Sequence, residues 1–402
     1  MAELMAPFYV ANVTLFDGRR VRRRSGVLVE GERVAWVGGH ARAPKAAARA
    51  REVDGTDRAL APGLIDAHVH LSFDGSADFA AEAAAMNAPT AAIKGTVNLR
   101  KQLAAGVTSV RDLGGSGTCE LARAVDAGVI PGPRVVASGR ALTVTGGHGH
   151  SVALAREVDG PDGVRAAVRE EIKGGATAIK VVATGGVLTP GIGATFTAFT
   201  REELVAAVDE AHAWGRGVAA HAIGAEGILR AVRAGVDSVE HCVQLSAAAA
   251  REMAERGTFR GPTIVALRGM IDNADRVPAY AVAKAEALLD EARIGHRRAL
   301  RAGVRHVCST DAGTPFNPHG NAPNEVITMV EWGMRPLDAL VAATANGAEL
   351  LRTPEVGSVE EGKLADLVLF DADPVEDITT LRRPRSVWKG GELVASAGRL
   401  RV

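Results

Sequence analysis

Residues 62–71 read Pro62-Gly63-Leu64-Ile65-Asp66-Ala67-His68-Val69-His70-Leu71. A Pro-Gly turn followed by an apolar run predicts a buried strand. His68 and His70 stand two apart, so on a strand they face the same way. Seven further runs of this kind follow at 106–115, 133–142, 176–186, 217–224, 236–242, 259–267 and 305–313. Most are near-continuous Val, Ile and Ala, as expected of strands covered on both faces. Amphipathic stretches separate them. The one after Thr200 opens with Thr200-Arg201-Glu202-Glu203, a capping-box pattern. Eight strands with intervening helices or long loops, in about 290 residues, predict an α/β protein built on a (β/α)8 TIM-type barrel. The barrel is expected to span residues 63–355.

The flanks read differently. Residues 1–62 and 356–402 are short β-like runs separated by Gly and Asp turns. Neither flank can bury a face alone. A small composite β-sandwich domain built from both chain termini is therefore expected.

Composition narrows the function. The 402 residues carry 47 basic and 47 acidic side chains and 11 His. A balanced charge gives no field to recruit nucleic acid or an anionic membrane. At 47% hydrophobic and 4% aromatic, the core must be largely aliphatic. Cys119, Cys242 and Cys308 are odd in number and scattered, which fits a reducing compartment and a structural role. The first 20 residues lack a basic segment followed by an apolar one, so no secretory signal is expected. No apolar run reaches the ~20 residues of a membrane span. The expected location is cytoplasmic and the expected partner a small-molecule substrate. Association into a homo-oligomer stays open.

In such a barrel the active site lies at the carboxyl ends of the strands, and the polar residues fall there. His68 and His70 would project into the mouth, either as hydrogen-bonded core residues or as ligands to one metal. Lys180 interrupts the apolar run Ala178-Ile179-Lys180-Val181-Val182. A buried, unpaired ammonium is costly and tends to lose its proton. Lys180 either reaches a carboxylate at the rim or, as a neutral amine, takes up carbon dioxide to give a carbamate that bridges two cations. His221, His241 and Asp311 end strands five, six and eight. Imidazole and carboxylate ligands suit Zn, Mn, Fe or Co.

These residues carry a resemblance. The 62–70 run, with Lys180, His221, His241 and Asp311, resembles the amidohydrolase superfamily in its binuclear metal form, and so does the tail Glu361-Gly362-Lys363-Leu364-Ala365-Asp366-Leu367-Val368. The segments Thr145-Gly146-Gly147-His148-Gly149, Lys180–Val187 and Thr310–Pro315 are similar to the imidazolonepropionase-related group. That group includes Xaa-Pro and other metal-dependent dipeptidases, ochratoxin-type amidases and phenylurea hydrolases.

The resemblance implies a hydrolase of amide-type C–N bonds in a dipeptide, N-acyl amino acid, carbamate or urea. A cyclic amide is an alternative, and a lactone or phosphotriester a more distant one. It implies His68, His70 and Asp311 on a buried metal and His221 and His241 on an exposed one, with carboxylated Lys180 and a hydroxide between them. Asp311 would shuttle the proton during hydroxide attack. Zinc is the first expectation for the two divalent ions, with manganese, cobalt or iron as alternatives. His148 would face substrate and orient a carbonyl or carboxylate.

His150, Arg111 at the end of strand two, and His319 on the loop after strand eight are further substrate-side candidates. For Arg111 a structural ion pair is the competing reading. Dipeptidases of this group often carry Tyr two residues after the strand-five histidine, where this chain has Ile223. The change favours an apolar contact, and the segment 266–296 is placed to cover such a pocket. The glycine pairs follow neither phosphate-binding pattern. His40, His212, His296 and His306 read as structural or solvated.

Overall fold

The computed structural model describes residues 6–150 and 154–402. From the N-terminal side come β1 (Phe8–Phe16), β2 (Val21–Glu30), β3 (Arg33–Gly39), β4 (Arg51–Asp54) and β5 (Ala59–Pro62). Gly63 then turns the chain into the barrel. A Cβ there would collide with the Thr108 side chain, so only glycine lets the two segments approach this closely.

The barrel strands are β6 (Leu64–Val69), β7 (Val107–Asp112), β8 (Arg134–Ala137), β9 (Ala141–Thr143), β10 (Ala155–Glu157), β11 (Ala178–Val182), β12 (Gly217–Ala222), β13 (Ser238–His241) and β14 (Phe259–Gly261). All their pairings are parallel, in the orders β6-β7-β8 and β10-β9-β11-β12-β13-β14. The third position is split. β8 pairs with β7 and β9 with β11, and the Thr177 amide donates to the Ala137 carbonyl at 2.8 Å to join the two sheets. Around the ring lie amphipathic helices whose Ala, Val, Leu and Ile faces make the main core. The capping box at Thr200 is present in both directions and opens the helix Arg201–Ala213.

Two strand expectations need correction. The run 259–267 is strand for three residues, after which Ile264–Ile271 is helix. Pro262 has no amide to continue a ladder, and Thr263 turns into left-handed backbone at φ 50°. The buried Glu325 carboxylate then accepts from the Ile264 and Val265 amides at 3.0 and 2.9 Å, capping the new helix. The run 305–313 fills the eighth position without becoming a continuous strand. It bridges Arg260 to His306 and Val69 to Ala312, and the Ala67 amide donates to the Cys308 carbonyl at 2.8 Å, closing the ring.

The C-terminal side adds β15 (Leu367–Phe370), β16 (Pro384–Lys389), β17 (Glu392–Ser396) and β18 (Arg399–Leu400). One nine-stranded sheet uses both chain ends, ordered β18-β17-β16-β15-β5-β1-β2-β3 with β4 on β1. Phe8 stacks on Trp388 at 5.2 Å within its core. Arg134 of β8 grips the buried Asp366 carboxylate with two bonds of 3.1 Å, tying barrel to sheet. Among the described residues no helix is long and apolar enough to cross a membrane.

A polar cluster lies where β14 meets the helix Ala279–Ala302. Arg260 is fully buried and donates to His296 Nδ1 at 2.9 Å, and the His306 ring lies 5.1 Å from that of His296. Burial, reinforced by the guanidinium, pulls His296 down to about 2 and His306 down to about 3. Both stay neutral in the native state but would take a proton near 6.5 once unfolded. Stability should therefore fall as pH drops below that value, at about 1.4 kcal/mol per pH unit for each imidazole. Urea unfolding between pH 7 and 5 is expected to show a shallower loss for His306→Asn than for the parent. Equal slopes would contradict the assignment.

Candidate metal centre and active site

The carboxyl ends of the barrel strands surround one cavity. His68, His70, His148, Lys180, His221, Ile223, His241 and Asp311 all line it. Above this polar floor the walls are apolar, including Phe79, Leu113, Leu188, Val243, Leu267, Met270 and Leu288.

β6 carries His68 near its end and His70 follows one residue beyond it, and the two imidazoles converge on Asp311. Asp311 Oδ1 lies 3.2 Å from His68 Nε2 and 3.0 Å from His70 Nε2. Donor atoms from these three residues lie within 4.8 Å of one another, a grouping able to hold a metal ion. His70 Nδ1 donates to the Gly114 carbonyl at 3.0 Å, which turns Nε2 toward the shared point. Burial pulls the His70 pKa down, but Asp311 outweighs it and raises the value overall. The spot that attracts a proton here would equally attract a cation.

Lys180, on β11, is almost wholly buried, with Nζ 3.4 Å from His68 Nε2. Burial brings its pKa down to about 8 against the opposing pull of Glu240 and Asp311. His221, on β12, donates Nε2–H to the Gly185 carbonyl at 2.7 Å, leaving Nδ1 as its free nitrogen. His241, on β13, engages Thr263 Oγ1 through Nδ1 at 2.7 Å. Its ring lies 4.5 Å from that of His221 and 5.4 Å from that of His68. Burial holds His68, His221 and His241 well below the ordinary imidazole range. Four imidazoles, a carboxylate and an amine of reduced basicity, with His70, His221 and His241 aimed by outer partners, form a donor set that fits divalent metal.

The backbone is strained around this floor. His241, Cys242, Thr263 and Asp311 all have φ between 49 and 65°. Each non-glycine residue in that region costs of order 1–3 kcal/mol and persists only where its surroundings dictate it.

Three candidate residues sit elsewhere. Arg111 is not in the cavity but beneath it. It donates to Glu240 Oε1 at 2.7 Å, to Ser238 Oγ at 3.0 Å and to the Ala67 carbonyl at 2.8 Å. With its charge cancelled inside the barrel it cannot meet a substrate carboxylate. His319 is pinned between Phe73 O at 2.8 Å and Gln102 at 3.2 Å, buried away from the cavity. His150 is exposed and folds back to donate to the Gly147 carbonyl at 2.8 Å.

Glu240 is the residue that sequence reasoning missed. It is fully buried, with Oε1 on Arg111 and Oε2 3.3 Å from His68 Nδ1. Its neighbours Ser238 and His241 are themselves polar, so the sequence signal was weaker than that of Lys180 in its apolar run. Thr189 was also missed. Its hydroxyl lies 2.6 Å from His148 Nδ1 and accepts from the Gly149 amide at 3.2 Å. His148 is half-buried, its pKa brought down to about 4 chiefly by desolvation, and its ring lies 4.8 Å from that of His221. Gly186 lies directly against that ring, leaving no room for a Cβ.

The amidohydrolase family model matches residues 59–394. Ochratoxinase of Aspergillus niger is 35% identical, across 95% of this chain and 85% of its own length. An imidazolonepropionase of Salinispora arenicola is 30% identical, across 90% of each. A solved Xaa-Pro dipeptidase with methionine bound in its active site superposes with a TM-score of 0.88 at 33% identity, covering 96% of this chain and 99% of that one. With a family match over most of its length and a barrel floor of imidazoles, amine and carboxylate, this chain belongs to the amidohydrolase family and is a hydrolase acting on carbon–nitrogen bonds.

Proposed function

We propose that the protein hydrolyses an open-chain amide-type bond, as in an N-acyl amino acid, dipeptide, carbamate or urea, whose acyl or amine part is large and apolar. The observation that carries this is the placement of His68, His70, Lys180, His221, His241 and Asp311 on one floor under apolar walls. His68, His70 and Asp311 would hold one divalent ion, and His221 with His241 a second. Zinc is our first assignment, with manganese, cobalt or iron as alternatives. Such ions, when bound, polarise a carbonyl and acidify water. Lys180 would join the two sites as a carbamate. Its neutral amine forms an N–C bond to carbon dioxide and releases a proton, and the lowered pKa favours the amine that reacts.

Asp311 would carry the proton traffic. Its Oδ1 faces the shared point of the His68 and His70 imidazoles. There it would accept the proton of the attacking water and return it to the leaving nitrogen. Because Thr189 accepts from Gly149, its own hydroxyl proton is available to His148 Nδ1. Neutral His148 would then present Nε2–H to the substrate carbonyl. Ile223 and the walls would exclude water and seat the apolar group. Similarity to an imidazolonepropionase keeps cyclic amides as a second reading. We assign catalysis to residues 63–355 and a supporting β-sandwich to 1–62 with 356–402.

Metal analysis of the purified protein should find about two divalent ions per chain, and Lys180→Ala should lose the pair together with nearly all activity. A metal-free parent, or an active Lys180→Ala, would remove the proposed centre. A hydrolysis screen should show turnover of N-acyl amino acids, carbamates or ureas with bulky apolar groups; turnover confined to phosphotriesters would overturn the amide reading. Gly186→Ala tests His148 separately. The added methyl must displace the ring, and kcat/KM should drop about 100-fold, the scale of a misplaced catalytic group, with metal content retained. Unchanged kinetics would remove His148 from the reaction.

A further inference from the structure

The segment between β11 and the helix Arg201–Ala213 is a hairpin-like loop. Thr184 bridges Thr197, and the Gly185 amide donates to the Phe196 carbonyl at 2.7 Å. The loop does three things at the site. Val187, Leu188 and Thr189 line the cavity. The Gly185 carbonyl aims His221, and Thr189 aims His148. Yet Gly185, Gly186, Gly191 and Gly193 fall within its first turn and tip. Glycine at that density gives the chain wide conformational freedom, at odds with a wall that must hold two imidazoles.

What holds it comes from the helix Ala279–Ala302. Lys284 Nζ donates to three loop carbonyls: Gly186 at 3.2 Å, Thr189 at 2.8 Å and Ile192 at 2.7 Å. An ammonium has three protons, so every donor is spent on this one loop. One turn earlier, Tyr280 donates its hydroxyl to the Leu188 carbonyl at 3.0 Å. One turn later, Leu288 enters the cavity wall. Residues four apart share a helix face, so Tyr280, Lys284 and Leu288 form one stripe against loop and pocket.

We infer that Lys284 is a positioning residue, an ammonium clamp that fixes the 185–193 loop and thereby sets the apolar wall and the aim of His148. Its charge holds backbone oxygens and is not a binding site for a substrate carboxylate. This inference rests on the amide-hydrolase reading for its kinetic consequence, though not for its structural one.

The test compares metal-loaded parent enzyme, Lys284→Met and, as a milder variant, Tyr280→Phe. Hydrogen–deuterium exchange should rise in segment 185–193 in Lys284→Met, and to a lesser degree in Tyr280→Phe, with bound metal unchanged. KM should rise about tenfold in Lys284→Met, equally for an N-acyl phenylalanine and for the neutral anilide of the same acyl group, while kcat changes less. A KM increase confined to the carboxylate-bearing substrate would make Lys284 a substrate-binding cation and overturn the clamp. Unchanged exchange in the loop would overturn it as well. If the parent hydrolyses neither compound, the N-acyl amino acid is excluded as its substrate class, and the exchange result still decides the clamp.

Discussion

Six ionisable side chains share one buried floor, and the protein around them is arranged so that each proton, or a cation in its place, has a defined position. Burial alone would strip the charge from Lys180 and the histidines and put one onto nothing. The carboxylates answer this. Asp311 faces both His68 and His70, and Glu240 stands behind His68 while Arg111 cancels its remaining charge. The result is a floor on which opposite charges face one another at close range. Removing one member would leave its partner buried and unpaired, which costs more than the pair itself contributes.

That floor dictates local backbone. Four non-glycine residues adopt left-handed conformations at the ends of the sixth, seventh and eighth barrel positions. The seventh breaks after three residues because Thr263 must turn to meet His241, and Glu325 caps the helix that results. Strain of this kind is tolerated because the closed ring of parallel strands fixes the ends. The terminal sheet adds to that fixation through the Arg134–Asp366 pair, far from the chemistry.

The wall above the floor is held differently. Beyond Gly185, which His221 of β12 holds, the carbonyls of the 185–193 loop are held by helix residues nearly a hundred positions later in the chain. Floor and wall stay coupled, because the Gly185 carbonyl aims His221 and Thr189 aims His148. The same set of donors could serve different substrates if the loop and the helix Ala279–Ala302 changed together.

Short-range features of the chain determined a good deal. The two-residue spacing of His68 and His70 fixed their common direction, because strand geometry has a period of two. A lysine within Ala178–Val182 announced a buried amine, since few side chains are so costly in an apolar run. The continuous Val, Ile and Ala runs announced a parallel barrel. Partners across the ring were beyond its reach. Arg111 is 129 residues from Glu240, His319 is 246 from the Phe73 carbonyl, and Lys284 is 92 to 98 from the loop it holds. Whether such a side chain meets substrate or is consumed by another residue depends on which strands and loops become neighbours when the barrel closes. Sequence spacing sets the direction of a side chain, but only tertiary closure decides what stands in front of it.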